Sequence, residues 1–306
     1  KIVFIGIVSI AKKHIKAIRK IEPQTVIFAL RSSKDALPYE AVKDFYEYDD
    51  IKEIVPDFII ISNPTSKHFE TIQKLLPYRI PLFIEKPVFA ELGHDEVIKE
   101  IEDKQILTYV ACDMRFMDCL KWLHQYMAEH KEEVRINEIN VYCGSYLPEW
   151  RPGKDFRKCY SSIPELGGGV HIDLIHDVDY VYWIFGKPKE NHAVFRNVSS
   201  LEIRAYDYAN FNLIYPSFCA NVVLNYYRRD SKRFMEILFD NCTWTVDMMK
   251  NEITSSTGEV IYRSEQTGGD EYEAQMCYFM QLVKKGATAS MNSAAEAYDV
   301  LGICLD

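Results

Sequence analysis

Short apolar runs alternate with amphipathic stretches over the first 113 residues. The runs cover residues 2–5, 25–30, 44–48, 57–61, 81–84 and 106–111. Between most of them lie segments of helical spacing, such as Ile15, Ile18 and Ile21, or Phe69, Ile72, Leu75 and Leu76. Near-continuous apolar strands alternating with helices predict a parallel sheet covered on both faces. Right-handed crossovers make that sheet doubly wound, with a ligand crevice beyond the carboxyl ends of its strands.

The pattern changes after Asp113. A helix is predicted over 117–130 and a strand around 138–144, followed by an irregular stretch over 145–164 rich in Trp, Arg, Pro, Gly and Tyr. Gly167-Gly168-Gly169 opens a strongly apolar helix that runs to Phe185. Strand-like runs then follow at 193–196, 211–214, 218–226, 233–238 and 243–246, and helices return at 271–285 and 294–305. Successive strands with few helices between them predict an open, largely antiparallel sheet. The expected organisation is a Rossmann-type dinucleotide-binding domain over residues 1–113 and a substrate-binding α+β domain over 114–306.

A formal charge of −9 argues against a nucleic-acid partner, which needs clustered Lys and Arg. No stretch approaches the ~20 apolar residues of a membrane span. The eight cysteines include no C-x-x-C pair and read as thiols of a reducing cytosol. A cytoplasmic protein that binds a small molecule is expected.

The first strand runs into Gly6-Ile7-Val8-Ser9-Ile10-Ala11, followed by Lys12, Lys13 and His14 on a helix. A dinucleotide fingerprint has Gly, Gly and Gly or Ala at its first, third and sixth positions. Gly6 and Ala11 match. Val8 puts a β-branched side chain where glycine lets the backbone approach a pyrophosphate. These six residues fit a cofactor loop or an ordinary strand–helix turn. The second strand ends in Arg31-Ser32-Ser33, with no acid until Asp35. An acid at that place usually holds the ribose 2′-hydroxyl of NAD, whereas a guanidinium beside hydroxyls suits a phosphate monoester. NADP is expected ahead of NAD, and a solvated Arg31 is the plain alternative. Gly6, Val8, Ser9, Ile10, Ala11, Arg31 and Ser32 are the cofactor residues of this end.

Ser62-Asn63-Pro64-Thr65-Ser66-Lys67-His68 follows the fourth strand and Glu85-Lys86-Pro87 the fifth. Later comes Gly167-Gly168-Gly169-Val170-His171-Ile172-Asp173-Leu174-Ile175-His176-Asp177-Val178-Asp179, closed by Trp183-Ile184-Phe185-Gly186. In this order the motifs resemble the glucose–fructose oxidoreductase, inositol dehydrogenase and MocA (Gfo/Idh/MocA) family through nearly the whole chain. The run from Tyr146 to Gly153 resembles a branch of it associated with surface-sugar metabolism. The resemblance implies an NAD(P)-dependent enzyme with a catalytic Lys86, often followed by a cis peptide bond before Pro87. It also implies homo-oligomers, dimers or tetramers, formed through the open face of the second-domain sheet. Asn63, Pro64, Thr65, His68, Glu85 and Lys86 fall at the cofactor crevice, with His14 near it; His68 either touches the ligand or caps local structure.

A lysine at the end of the fifth strand can steady charge on a substrate oxygen. His176 is the natural proton shuttle, because imidazole titrates near neutral pH. Asp173 lies three residues earlier on the same predicted helix, hence on the same face, and would orient the imidazole or bind a neighbouring hydroxyl. The commoner family spacing of this Asp and His is four rather than three. Asp179 would support His176 from behind. Arg115, Tyr146, Trp150, Arg151 and Tyr160 are candidate substrate contacts, since a polyol needs donors and flat apolar faces. His171, Asp173, His176 and Asp179 are also metal-ligand types, but hydride chemistry needs no metal and none is expected.

The expected reaction moves a hydride between nicotinamide and a hydroxyl-bearing carbon of a sugar, nucleotide sugar or polyol. Two alternatives stay open. One is an enzyme whose permanently bound cofactor serves a transient oxidation. The other is a non-catalytic or regulatory relative, which Val8 favours.

Overall fold

The computed structural model describes residues 1–35, 37–265 and 270–306. The chain packs as two compact units, Lys1–Asp113 with Gly268–Leu301, and Met114–Thr267 with Gly302–Asp306.

In the first unit, strands β1 (Ile2–Ile5), β2 (Ile27–Leu30), β3 (Val42–Phe45), β4 (Phe58–Ile61), β5 (Leu82–Ile84) and β6 (Thr108–Val110) alternate with helices. These are α1 (Ser9–Ile21), α2 (Ile51–Ile54), α3 (His68–Leu75) and α4 (Asp95–Asp103). All six strands are parallel, in the order β3-β2-β1-β4-β5-β6. Every residue of β1, β4 and β5 is buried, as expected of strands covered on both faces. Helix α1 buries Ala11, His14, Ile15, Ala17 and Ile18, a stripe at helical spacing that lies on the sheet. The order reverses between β1 and β4. At such a reversal the connections leave in opposite directions, so a crevice opens beyond the strand ends.

The second unit holds α5 (Asp118–Glu129), β7 (Ile136–Tyr146), α6 (Val170–Asp173), α7 (Ile175–Phe185) and seven further strands. Those strands are β8 (Glu190–Arg196), β9 (Tyr208–Ile214), β10 (Cys219–Asn225), β11 (Tyr227–Phe239), β12 (Thr243–Asp247), β13 (Glu252–Ser255) and β14 (Val260–Arg263). They form one sheet in the order β14-β13-β12-β11-β7-β10-β9-β8. Only β7 and β10 pair in parallel. Burial alternates along β9, with Ala209, Phe211 and Leu213 inside. One sheet face is therefore covered and the other accessible.

Two features depart from the pattern in the sequence. Helix α8 (Asp270–Lys284) and most of α9 (Ala294–Leu305) belong with the first unit rather than with the residues before them. Phe279 stacks edge-on against Phe58 and Phe83 there, and the Asn292 side chain donates to the Val110 carbonyl. The helix expected after the glycine triplet is two helices, parted at Leu174 (φ −98°, ψ 29°). No helix among the described residues is long and apolar enough to cross a membrane.

Candidate functional site

At the carboxyl ends of β1 and β4, Gly6 has φ +86°, and a Cβ there would come 3.2 Å from the Cα of Asn63. Glycine is required on both counts. The Ser62 hydroxyl donates to the Gly6 carbonyl (2.9 Å), and the Asn63 amide to the Thr71 hydroxyl (2.8 Å). Val8 is the extended residue that precedes α1 and is 41% exposed. Helix α1 starts without a side-chain cap and without an acid in its first turn. The first amides of a helix lack partners within it and carry the positive end of its dipole, so this start suits an anion. Ala11 is fully buried, the close packing for which the fingerprint's last position selects. Gly6, the loop and the uncapped helix together fit a dinucleotide diphosphate.

The other loops at this end are tied to one another. His68 is fully buried, its ring nitrogens 3.1 Å from the Asn63 carbonyl and 3.1 and 3.2 Å from those of Pro87 and Val88. It braces the loop after β4 against the loop after β5, the local role that is the alternative to cofactor contact, and its burial removes it from the cofactor residues. Pro64 and Thr65 remain accessible beside it, as does Ser32 at the end of β2. The peptide bond between Lys86 and Pro87 is cis. Glu85 accepts from the buried imidazole of His14 on α1. No motif singles out His14 for this. The signal is its place on the buried stripe of α1, where a polar ring needs a partner. Arg31 turns inward, with Nη1 3.3 Å from Asp44 Oδ1 and Nη2 3.2 Å from the Leu37 carbonyl.

In the second unit the carboxylate of Asp173 collects three hydroxyl donors. They are Tyr160 at 2.5 Å, Ser161 at 2.8 Å and Tyr226 at 3.0 Å. Burial, and then the Asp173 charge, raise the Tyr226 phenol well above its ordinary value, so it stays a donor. Tyr160 is 41% exposed although its hydroxyl is held, and the Arg151 guanidinium lies 4.9 Å from its ring centroid. Trp150 donates to the Ser145 hydroxyl and meets Tyr226 edge-on. Four expected substrate contacts, Trp150, Arg151, Tyr160 and Asp173, are thus gathered in one place. Tyr146 is elsewhere, under Arg229.

The glycine triplet makes this cluster possible. A Cβ on Gly168 would come 2.1 Å from the Tyr160 carbonyl oxygen, so Gly168 admits the chain's own 160–163 turn. Gly167 and Gly169 have φ of +82° and +131°. Of residues 168–181, His176 is the one that is not buried.

Three expectations change. Asp173 and His176 lie on separate helices, so a shared helix face does not relate them. Asp179 does not stand behind His176, and Arg115 is not placed for substrate. The Arg115 side chain is fully buried in a two-pronged pair with Asp179, at 2.9 and 2.7 Å. Asp177, the neighbouring acid on α7, is held in the same way by Arg233 on β11 at 3.0 and 2.6 Å. Among the described residues, no three His, Cys, Asp or Glu side chains form a group able to hold a metal ion.

Comparison with known proteins agrees with this architecture. Residues 1–111 match the GFO/IDH/MocA oxidoreductase family model, described as an NAD-binding Rossmann fold, and residues 124–245 match the GFO/IDH/MocA C-terminal domain. The rhizopine catabolism protein MocA of Rhizobium meliloti is 23% identical over 161 residues, which span 51% of this chain and 45% of that protein. Similar solved structures include UDP-N-acetylglucosamine 3-dehydrogenase GnnA of Acidithiobacillus ferrooxidans, at TM-score 0.79 and 18% identity over 99% of this chain and 95% of that one. Levoglucosan dehydrogenase in complex with NADH and levoglucosan has TM-score 0.84 at 14% identity, covering 99% and 94%. The myo-inositol 2-dehydrogenase of Lactobacillus plantarum has TM-score 0.78 at 18% identity, also covering 99% and 94%. At these identities the likeness is one of fold.

Proposed function

The chain belongs to the Gfo/Idh/MocA oxidoreductase family, and on that premise we propose that it transfers a hydride between NADP and a hydroxyl-bearing carbon of a sugar, nucleotide sugar or polyol. The observation that carries this is the meeting of Gly6, Asn63 and the uncapped start of α1 where the strand order reverses. UDP-N-acetylglucosamine, levoglucosan and myo-inositol, which give three similar structures their names, are all polyhydroxylated and support a substrate of that class. Arg31 with Ser32 supports NADP over NAD.

When bound, the nicotinamide accepts or returns the hydride. Lys86 steadies the negative charge that develops on the substrate oxygen during oxidation, and polarises the carbonyl during reduction. His176 takes the hydroxyl proton in one direction and returns it in the other. Asp173 anchors Tyr160 through its hydroxyl, and Tyr160, Arg151 and Trp150 receive the remaining polar groups and flat faces of the substrate. The accessible face of the eight-stranded sheet, with Tyr142, Val223, Phe234 and Leu238 on it, supports assembly of copies through that face.

Calorimetric titration with NADPH, NADP, NADH and NAD tests the cofactor. Nicotinamide absorbance with myo-inositol, UDP-N-acetylglucosamine and levoglucosan as first probes then tests turnover. Lys86→Ala and His176→Ala are expected to lose at least about a hundredfold in kcat/KM while cofactor affinity persists. Cofactor-free protein that binds no nicotinamide would mark the chain as a non-catalytic relative. Cofactor that stays attached through purification would favour transient oxidation within one catalytic cycle.

A further inference from the structure

We propose that Asp44 sets the balance between the two nicotinamide cofactors by competing for Arg31. This rests on the dinucleotide reading above and names the residue that tunes it. Arg31 directly follows β2, and its backbone amide donates to the Phe45 carbonyl at 3.0 Å, so it stands at the carboxyl edge shared by β2 and β3. Asp44 is one residue back on β3, in register with Ala29. The guanidinium lies between the Asp44 carboxylate and the Leu37 carbonyl, with the Arg31 side chain 11% and the Asp44 side chain 17% exposed. Ser32 and Ser33 beside it are open to solvent.

The two cofactors ask opposite things of this edge. A 2′-phosphate carries between one and two negative charges near neutral pH and seeks the forked donors of a guanidinium. Asp44 already occupies part of that fork and repels the phosphate as a like charge. An unphosphorylated ribose offers hydroxyl donors instead, and a carboxylate is their natural acceptor. The pair is therefore two-sided: Arg31 serves the phosphate, Asp44 serves the hydroxyl, and each restrains the other. The carboxylate on β3 supplies what the end of β2 lacks, and it lies too far along the chain for the usual fingerprint to find it.

The test is a set of binding titrations of full-length protein with NADPH and NADH, in wild type, Asp44→Asn, Arg31→Ala and the double variant. Asp44→Asn is expected to tighten NADPH about tenfold, by removing one like charge at close range, and to leave NADH unchanged or weaker. In the Arg31→Ala background the same substitution should bring a clearly smaller gain, because only the like-charge repulsion is relieved and no guanidinium remains to be released. Thermal unfolding checks that each variant is folded, and Asp44→Ser stands in if Asp44→Asn is not. Both cofactors binding with a NADPH to NADH ratio that Asp44→Asn moves less than twofold would overturn the assignment. So would an equal gain with and without Arg31. Wild type that binds neither cofactor would instead sink the dinucleotide reading itself, and this assignment with it.

Discussion

A methyl group added at Gly168 would come within 2.1 Å of the Tyr160 carbonyl oxygen and 2.7 Å of that of Ile163. Both are backbone atoms with no rotamer to retreat into. Gly168→Ala is expected to destabilise the second unit by about 3 kcal/mol or more, as overpacking against rigid neighbours does, and to part Tyr160 from Asp173. Denaturant unfolding measures the first effect, and an unchanged midpoint would show that the turn can yield. His171, two residues beyond the triplet, is buried against Phe195 and Tyr206. Burial pushes its imidazole down from the ordinary 6.5 to about 4. The unfolded chain therefore takes up that proton first, so stability should fall as pH drops through the window from 6.5 to about 4. At about 1.4 kcal/mol per unit, the loss amounts to a few kcal/mol. As pH falls through this window the wild-type melt should drop relative to that of His171→Phe by those few kcal/mol, since the variant has no imidazole to protonate; parallel curves would refute the burial argument. At this scale the motifs single out Lys86, Asp173 and His176 as candidates by residue type. They could not reveal that Asp173 is held by three hydroxyls, since Ser161 lies in an irregular stretch 12 residues away and Tyr226 is 53 residues away, with no motif marking either.

Helix α7 shows why spacing misled at the next scale. Residues 170–181, His176 apart, are buried whether polar or apolar, so burial there has no helical period and the sequence pattern carries no register. The break at Leu174 and the orientation of the acids could not be read from it. Asp179, expected to support His176, and its neighbour Asp177 are each consumed by an arginine, Arg115 and Arg233, that ties the helix into its unit. Removing one partner of a buried pair strands the other charge. Asp179→Asn should therefore cost roughly 3–5 kcal/mol of unfolding free energy. Equilibrium denaturation decides the matter: a loss below about 1 kcal/mol would return Asp179 to the list of residues kept for chemistry. The strands of the first unit were easier to read, because runs such as 58–61 are uniformly apolar and bounded by turn residues.

For the whole chain, the accessible sheet face makes a measurable claim. Val223, Tyr142 and Phe234 stand side by side across β10, β7 and β11, and more than one apolar side chain in such a row suits a covered surface. Sedimentation of the protein at micromolar concentration should show a dimer or tetramer, and Phe234→Asp should shift it towards monomer without loss of fold. A wild-type monomer would leave this face without the proposed role. The change of pattern near Asp113 was legible, though not the return of α8 and most of α9 to the first unit; the parallel and largely antiparallel sheets were legible from their strand spacing, and the family from motifs kept in order. Local chemistry dictates such features: apolar runs seek burial, and glycines stand where other residues cannot. What the tertiary structure decided was partnership. Phe279 packs with Phe58 and Phe83 more than 190 residues away; Arg31 is turned to Asp44, Arg115 to Asp179, and His68 to two loops at once. A charge or ring takes whichever partner the packed chain brings within a few ångströms, and neighbours in space leave no periodicity in a single sequence.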